Sequence, residues 1–481
     1  GEVKIAVRDY ATGAKLANAT VVIDSTTAFA GSNGTTDQNG EYRATDTRGN
    51  ITTRTVSACA AGYACFTLVD TATDDVTLSL RSQAVTSRQL EGAVSAPTIP
   101  AVGADGKLEL LLVTPGISID QLFTFKFATL LAPNRSVKIG DFAEIALPSN
   151  VMLRQIADIG FLVDDAPNGN DISLFTLAGS FDPAAAIAHG LPINASVFLQ
   201  AVEFSRLTRQ VVATQGARET TGVELILDTA DPPLISKTPG VQFEALSLPD
   251  FSAATTNPIE LFGISATSLS ENGRPTYFPV DIGKLSQASA GSSDPYRSRA
   301  LAVGSPGRTT TDSTNVGMVV ALDPSLQSEA TSLVLDHSLA ASSTPQQVNS
   351  LYSAIRGEQA ATNHRRFDYL SEATANSSGP DVVVNLISIV GLDTVDGSTI
   401  QKPVWIIALP GDQTAAELPL LPSSANDPFA VSAYRFDAVF SSYGIDGASS
   451  ALDYDAGAIE EALASRATHL SLNRGIDIAR P

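Results

Sequence analysis

Cysteine is almost missing from this chain of 481 residues: Cys59 and Cys65, in the stretch VSACAAGYAC, are all there is. A small fold stapled by many cross-links is thereby excluded. In a chain of extracellular composition, one close pair reads as a local disulfide. Redox and zinc sites use Cys-x-x-Cys spacing, whereas five residues separate these two. Closing so short a loop stabilises by about 2 kcal/mol in the chain-entropy picture. Basic residues are scarce as well: 30 Lys and Arg against 51 Asp and Glu give a net charge of −21. Nucleic acid is excluded as a partner, because gripping a polyanion takes a concentration of Lys and Arg. The acids are scattered without a like-charge run, so the surplus reads as a solvated surface.

Long apolar runs are lacking too. The longest, residues 382–392, is broken by Asn385 and Ser388 and falls short of the ~20 residues of a helical membrane span. No membrane span is expected. No basic segment and apolar stretch precede the first strand pattern at Gly1, which implies a mature chain exported through a cleaved signal peptide. Motifs of catalysis are also missing. The nearest approach to a nucleophile elbow is Gly263-Ile264-Ser265-Ala266-Thr267, and no phosphate-binding or dinucleotide glycine pattern occurs. No catalytic residue is assigned. Trp405 is the single tryptophan, and within Pro403-Val404-Trp405-Ile406-Ile407 it reads as core rather than as a sugar-stacking platform.

What is present is the grammar of β-proteins. Apolar residues make up 43% of the chain and charged ones only 17%, against about 25% charged in an average soluble domain. Short apolar runs alternate with Gly, Pro, Asn and Asp throughout. The first is Glu2-Val3-Lys4-Ile5-Ala6-Val7-Arg8, where period two puts Val3, Ile5 and Val7 on one face and Lys4 with Glu2 on the other. A turn at residues 9–13, a strand at 19–23, a predicted Asn39-Gly40 hairpin and a return strand from Glu41 follow.

These residues carry a resemblance. Asp9, Thr12, Gly13, Leu16, Ala19 and Val21, then Thr36, Asp37, Gly40 and Tyr42, then Val56, Ala58, Gly62 and Tyr63 fall in the order seen in carboxypeptidase regulatory-like domains related to transthyretin. The resemblance covers residues 1–82 and implies a secreted β-sandwich that serves as a spacer or stabilising partner. It implies no peptidase, since His189, His337, His364 and His469 are followed three residues later by Pro192, Ala340, Phe367 and Leu472 instead of the Glu of a zinc site. The cysteine pair reads as a brace on the loop at Gly62-Tyr63. Related surface sandwiches carry a Lys-to-Asn cross-link, but Lys4 lies on the solvent face of its strand and reads as a surface lysine.

The rest of the chain divides by composition. Residues 83–104 lack periodicity and contain Pro97 and Pro100, so they read as a linker. Residues 105–230 form a β-rich domain, and 231–481 one or more further β-rich domains, with helices predicted at 345–356, capped by Thr344, and at 456–465, capped by Asp455. The fold class is mainly β: multidomain antiparallel β-sandwiches with a few short helices.

One cluster could hold a cation. Asp164, Asp165, Asn168, Asn170 and Asp171 surround Gly169 and offer the hard oxygens that suit Ca²⁺. Ala166 occupies a ligand position of the helix-loop-helix pattern, and no Glu closes the loop. The same residues form turns in their own right, and a hairpin turn is the preferred reading. No other cofactor is implied.

The expectation is therefore a secreted structural subunit of the cell surface, filament-forming or adhesive and without catalytic activity. Its partners would be copies of itself or other surface proteins, joined by strand addition with residues 1–7 as the donor. The alternative is a secreted hydrolase or carbohydrate-binding protein with its site in 231–481 and polysaccharide as its partner.

Overall fold

The computed structural model describes residues 2–10, 12–24, 33–45, 53–83, 88–95, 106–118, 135–139, 143–153, 160–166, 171–189, 201–214, 219–227, 242–245, 260–271, 274–284, 296–299, 313–322, 329–339, 346–348, 355–371, 382–395, 398–422, 428–429, 435–445 and 467–481. The fold is mainly β, and among the described residues Pro183–His189 is helical. The chain divides into two compact units. One is split, Gly1–Thr86 together with Ser353–Pro481; the other, Ser87–Tyr352, is inserted between its halves.

Among the described residues the first half of the split unit holds seven strands: β1 (Glu2–Asp9), β2 (Thr20–Ile23), β3 (Asn33–Thr35), β4 (Glu41–Thr45), β5 (Arg54–Cys59), β6 (Cys65–Thr71) and β7 (Asp75–Leu80). They lie in two layers, ordered β4-β1-β7 and β3-β2-β5-β6. The alternation of β1 has its expected consequence: Val3, Ile5 and Val7 are at most 1% exposed. Val56 and Ala58 on β5 and Phe66 and Leu68 on β6 fill the same core from the other layer. On the outer face the Lys4 ammonium lies 3.4 Å from Glu41 and 3.6 Å from Asp75.

β1 is the middle strand of its sheet, antiparallel to β4 and parallel to β7. This corrects the expectation that it serves as a donor to a neighbour. Its backbone groups and its apolar face are already used inside the unit.

The residues that carry the family resemblance lock turns. Both Thr12 N–H and Thr12 O–H donate to Asp9 Oδ1, at 2.8 and 2.9 Å, while Tyr63 O–H donates to Asp9 Oδ2 at 2.9 Å. Thr36 O–H donates to the Leu16 carbonyl and its oxygen accepts Ala19 N–H. Gly40 has φ +70°, and a Cβ there would sit 2.8 Å from the Val7 carbonyl oxygen. The Asn39-Gly40 turn does not close a hairpin, however. β3 pairs with β2 and β4 with β1, so the turn carries the chain from one layer to the other.

Asp37 sets that turn by accepting the N–H groups of Asn39 and Glu41, at 2.8 and 2.9 Å. These backbone donors, Glu41 first, hold its carboxyl below the ordinary aspartate range. A depressed carboxyl contributes stability above its unfolded pKa, near pH 4, and loses it as pH falls through the folded value. The melting temperature should therefore fall between pH 5 and pH 3. Asp37→Asn should flatten part of that fall in a thermal scan, and an identical profile in the variant would rule the contribution out.

The second half contributes β8 (Ile355–Gln359), β9 (Arg366–Ser371), β10 (Val382–Val395), β11 (Ser398–Pro410), β12 (Ala415–Glu417), β13 (Arg435–Ile445) and β14 (Ala467–Ile478). β8-β9-β12 form one sheet, and the remaining strands continue the sheet of the first half in the order β14-β13-β10-β11-β6-β5-β2-β3. The long apolar run at 382–392 is β10, a central strand with both neighbours antiparallel. It is apolar because both its faces are covered. Asn385, which interrupts the run, is buried and donates to the carbonyls of Gly411 and Gln413 at 3.5 and 3.4 Å.

The inserted unit buries a core of its own. Strands Val151–Leu153, Leu108–Pro115, Asp171–Phe181 and Val202–Ala213 form a four-stranded antiparallel sheet. Arg88–Ser95 lies between Phe161–Ala166 and Glu219–Ile226 in another. Leu90, Leu111, Val113, Phe161, Leu174 and Leu225 meet in one cluster. Four further antiparallel strands follow, in the spatial order Arg274–Lys284, Glu260–Glu271, Ser313–Leu322 and Glu329–Leu339.

Three expectations change here. Residues 83–104 are not a bare linker, because Arg88–Ser95 is a central strand; apart from Leu90 and Val94 it is polar or small, which hid it. Gln346–Val348 is a strand parallel to Gln242–Ala245, and β8 begins at Ile355, so no helix spans 345–356. Sheet pairing overrides the capping signal of Thr344 and Pro345. The predicted helix at 456–465 lies outside the described residues. The unit boundaries also fall at residues 86 and 353 rather than at 82 and 231.

Candidate functional site

The most distinctive constellation in the split unit is the seam between its halves. β6 pairs in parallel with β11, matching Cys65 with Trp405, Phe66 with Ile406, Thr67 with Ile407 and Leu68 with Ala408. β6 reads Cys-Phe-Thr-Leu-Val-Asp-Thr, and alternation sends Phe66 and Leu68 into the first core and Cys65, Thr67 and Val69 to the opposite face. That opposite face is buried as well. Cys59, Cys65 and Val69 pack in a cluster with Trp405, Ile387, Ile407, Phe429 and Phe440.

Polar groups are paired across the seam. Trp405 Nε1–H donates to Thr67 Oγ1 at 2.9 Å, and Thr67 Oγ1 lies 2.8 Å from Ser57 Oγ, all three residues being at most 1% exposed. At the rim, Asp70 accepts Thr53 O–H on Oδ1 and Gln413 Nε2–H on Oδ2, each at 2.8 Å. Asp70 has φ +61°, a backbone conformation that these two bonds help to hold. The Trp405 indole stacks on Phe429 at 5.9 Å, and Phe429 meets Phe436 edge-on at 5.3 Å. Among the described residues this seam is made of apolar contacts and paired hydrogen-bonding groups. It is an adhesive joint between two stretches of one chain.

The disulfide joins Cys59 and Cys65, whose Cα atoms are 4.3 Å apart. Both residues lie in the second core, so the bond braces more than the Gly62-Tyr63 loop that the sequence suggested. Thr67 went unrecognised. Its signal was present, since a hydroxyl inside the run Cys65-Phe66-Thr67-Leu68-Val69 needs a partner once both faces are covered.

Thr67→Val keeps the shape and removes the acceptor of the Trp405 N–H. It should cost about 1–3 kcal/mol, the penalty for a buried donor left unpaired. Urea unfolding followed by the emission of Trp405, the only tryptophan, measures it. A midpoint equal to that of the parent would mean that the bond is immaterial.

The candidate calcium residues lie only partly within the described residues. Asp164 and Asp165 belong to the strand Phe161–Ala166, and Asp171 opens Asp171–Phe181. Asn168 and Asn170 lie outside the described residues. The two strands belong to different sheets. Among the described residues no group of three or more His, Cys, Asp or Glu side chains is placed to hold a metal.

On the outer face of the first sheet, Arg43 pairs with Glu2 at 3.0 Å and with Glu41 at 3.2 Å. The Arg43 guanidinium, with Lys4 behind it, holds the Glu41 carboxyl below its usual range. Such exposed pairs stabilise little. Among the described residues no helix is long and apolar enough to cross a membrane.

No protein-family profile and no curated protein matches the sequence. Solved structures with some similarity include a double mutant of the shaft pilin SpaA from Lactobacillus rhamnosus GG, at 13% identity, covering 48% of this chain and 99% of that one with a TM-score of 0.14. Another is a streptococcal ancillary pilin, at 9% identity, covering 62% and 95% with a TM-score of 0.14. Scores this low do not establish a common fold.

Proposed function

We propose that this chain is a structural subunit of an exported, surface-located assembly, built for cohesion and for association with further copies of itself. The observation that carries the reading is the seam. The sheet of the N-terminal sandwich is covered on both faces, once by β1 and β7 and once by the core around Trp405. Its disulfide, its buried hydroxyls and its aromatic stack all serve that joint. The resemblance of residues 1–82 to carboxypeptidase regulatory-like modules, which act as spacers and stabilising partners, points the same way.

Electron microscopy of the purified native protein, with a sizing column run alongside, tests the reading. End-to-end or laterally joined assemblies are expected. A single monomeric species across a wide range of concentrations would overturn it.

A further inference from the structure

The split unit is made from Gly1–Thr86 and Ser353–Pro481, and the inserted unit lies between these stretches in sequence. A pull applied at residues 1 and 481 enters through β1, which is paired on both sides, and leaves through β14, which is paired with β13 from Ala467 to Ile478. Between these strands the load has a short path. It crosses from β6 to β11 through their parallel pairing, the bond from Trp405 to Thr67 and the bond from Gln413 to Asp70. The covalent route between the same strands is far longer, because it runs from Thr86 through the inserted unit to Ser353.

We propose that the split unit is a clasp: while the seam between β6 and β11 holds, tension on the chain ends bypasses Ser87–Tyr352, and that unit takes load only after the seam parts. Topology, rather than relative stability, sets the order of opening. Domains strung in series open weakest first, whereas here the inserted unit opens after the clasp even if it is the weaker. Release then adds the reserve of the insert, roughly 270 residues at about 3.4 Å each, or some 900 Å of contour. The inference concerns a single chain and does not depend on its assembly.

The test is force–extension measurement on the full chain, held at residues 1 and 481, as the parent and as Phe175→Asp. Phe175 is fully buried in the inserted unit, so the substitution undermines the core of that unit. The contour of Ser87–Tyr352 should stay hidden in both proteins until the first rupture of the split unit, whether or not the altered insert still folds. Early appearance of that contour at low force in Phe175→Asp would overturn the clasp. A third protein, Thr67→Val, should release the hidden length at lower force than the parent. An unchanged release force would overturn the part assigned to the seam.

Discussion

Deleting residues 1–8 is expected to unfold the N-terminal sandwich, not merely to separate an intact protein from its neighbours. β1 is the spine of the sheet β4-β1-β7, so its loss leaves β4 and β7 with no strand between them. Val3, Ile5 and Val7 leave with it, each at most 1% exposed. At about 1.5–3 kcal/mol for each buried aliphatic side chain, the deletion removes several kcal/mol before any backbone bond is counted. That is comparable with the whole stability of an ordinary domain, about 5–15 kcal/mol. The other layer would then have lost the core on one face, and it is the layer that supports Trp405 on the other. The deletion should abolish the cooperative urea transition seen by Trp405 emission and expose β5 and β6 to limited proteolysis. A truncated chain with the parent's midpoint, altered only in its assembly, would restore the donor-strand expectation.

The second large effect is expected deep in the second core. Gly357 on β8 faces the ring of Phe440 on β13, and a Cβ at Gly357 would lie 2.0 Å from its Cγ and 2.1 Å from its Cδ1. The ring has little room to give. Tyr369 meets it edge-on at 5.2 Å, and Phe367 lies at 6.3 Å. Gly357→Ala should therefore cost at least the ~1–3 kcal/mol of an overpacked core. Phe440→Ala should cost about 3–5 kcal/mol by emptying the same site.

The two changes should not add. With the ring gone, the three atoms nearest the extra methyl are gone too, so Gly357→Ala placed on Phe440→Ala should be nearly neutral or slightly restorative. Denaturant midpoints of the four proteins of this cycle provide the measurement. Strict additivity would show that the glycine is required for some reason other than this ring.

Much of the strand content was legible because period two is a local signal. Val3, Ile5 and Val7 announced β1, the run from Val382 announced β10, and Trp405 among aliphatics announced a buried strand. Partnership was not legible in the same way. Thr67 and Trp405 are 338 residues apart in sequence, and a parallel pairing leaves no turn between its strands to betray it. For that reason the seam, the split unit and its boundaries escaped a reading that moves along the chain.

Where local signals misled, a competing contact explains it. Asn39-Gly40 does turn the chain, but toward the other layer; Thr344 and Pro345 resemble a helix start, yet Gln346–Val348 has a strand to pair with. Of the candidate site, the cysteine pair was legible as a bond and illegible as a component of a core. That core is completed by residues far downstream.

The discontinuity has a consequence in time as well as in space. A chain made from its N-terminus presents β5 and β6 before β11, with the whole of Ser87–Tyr352 in between. Until β11 arrives, the face that bears Ser57, Cys59, Cys65 and Thr67 has nothing over it. In the folded chain Trp405 and Phe429 pack in the same core as Cys59 and Cys65. Both partners of the disulfide thus belong to the half that is made first, while the aromatic cover over them belongs to the half that is made last.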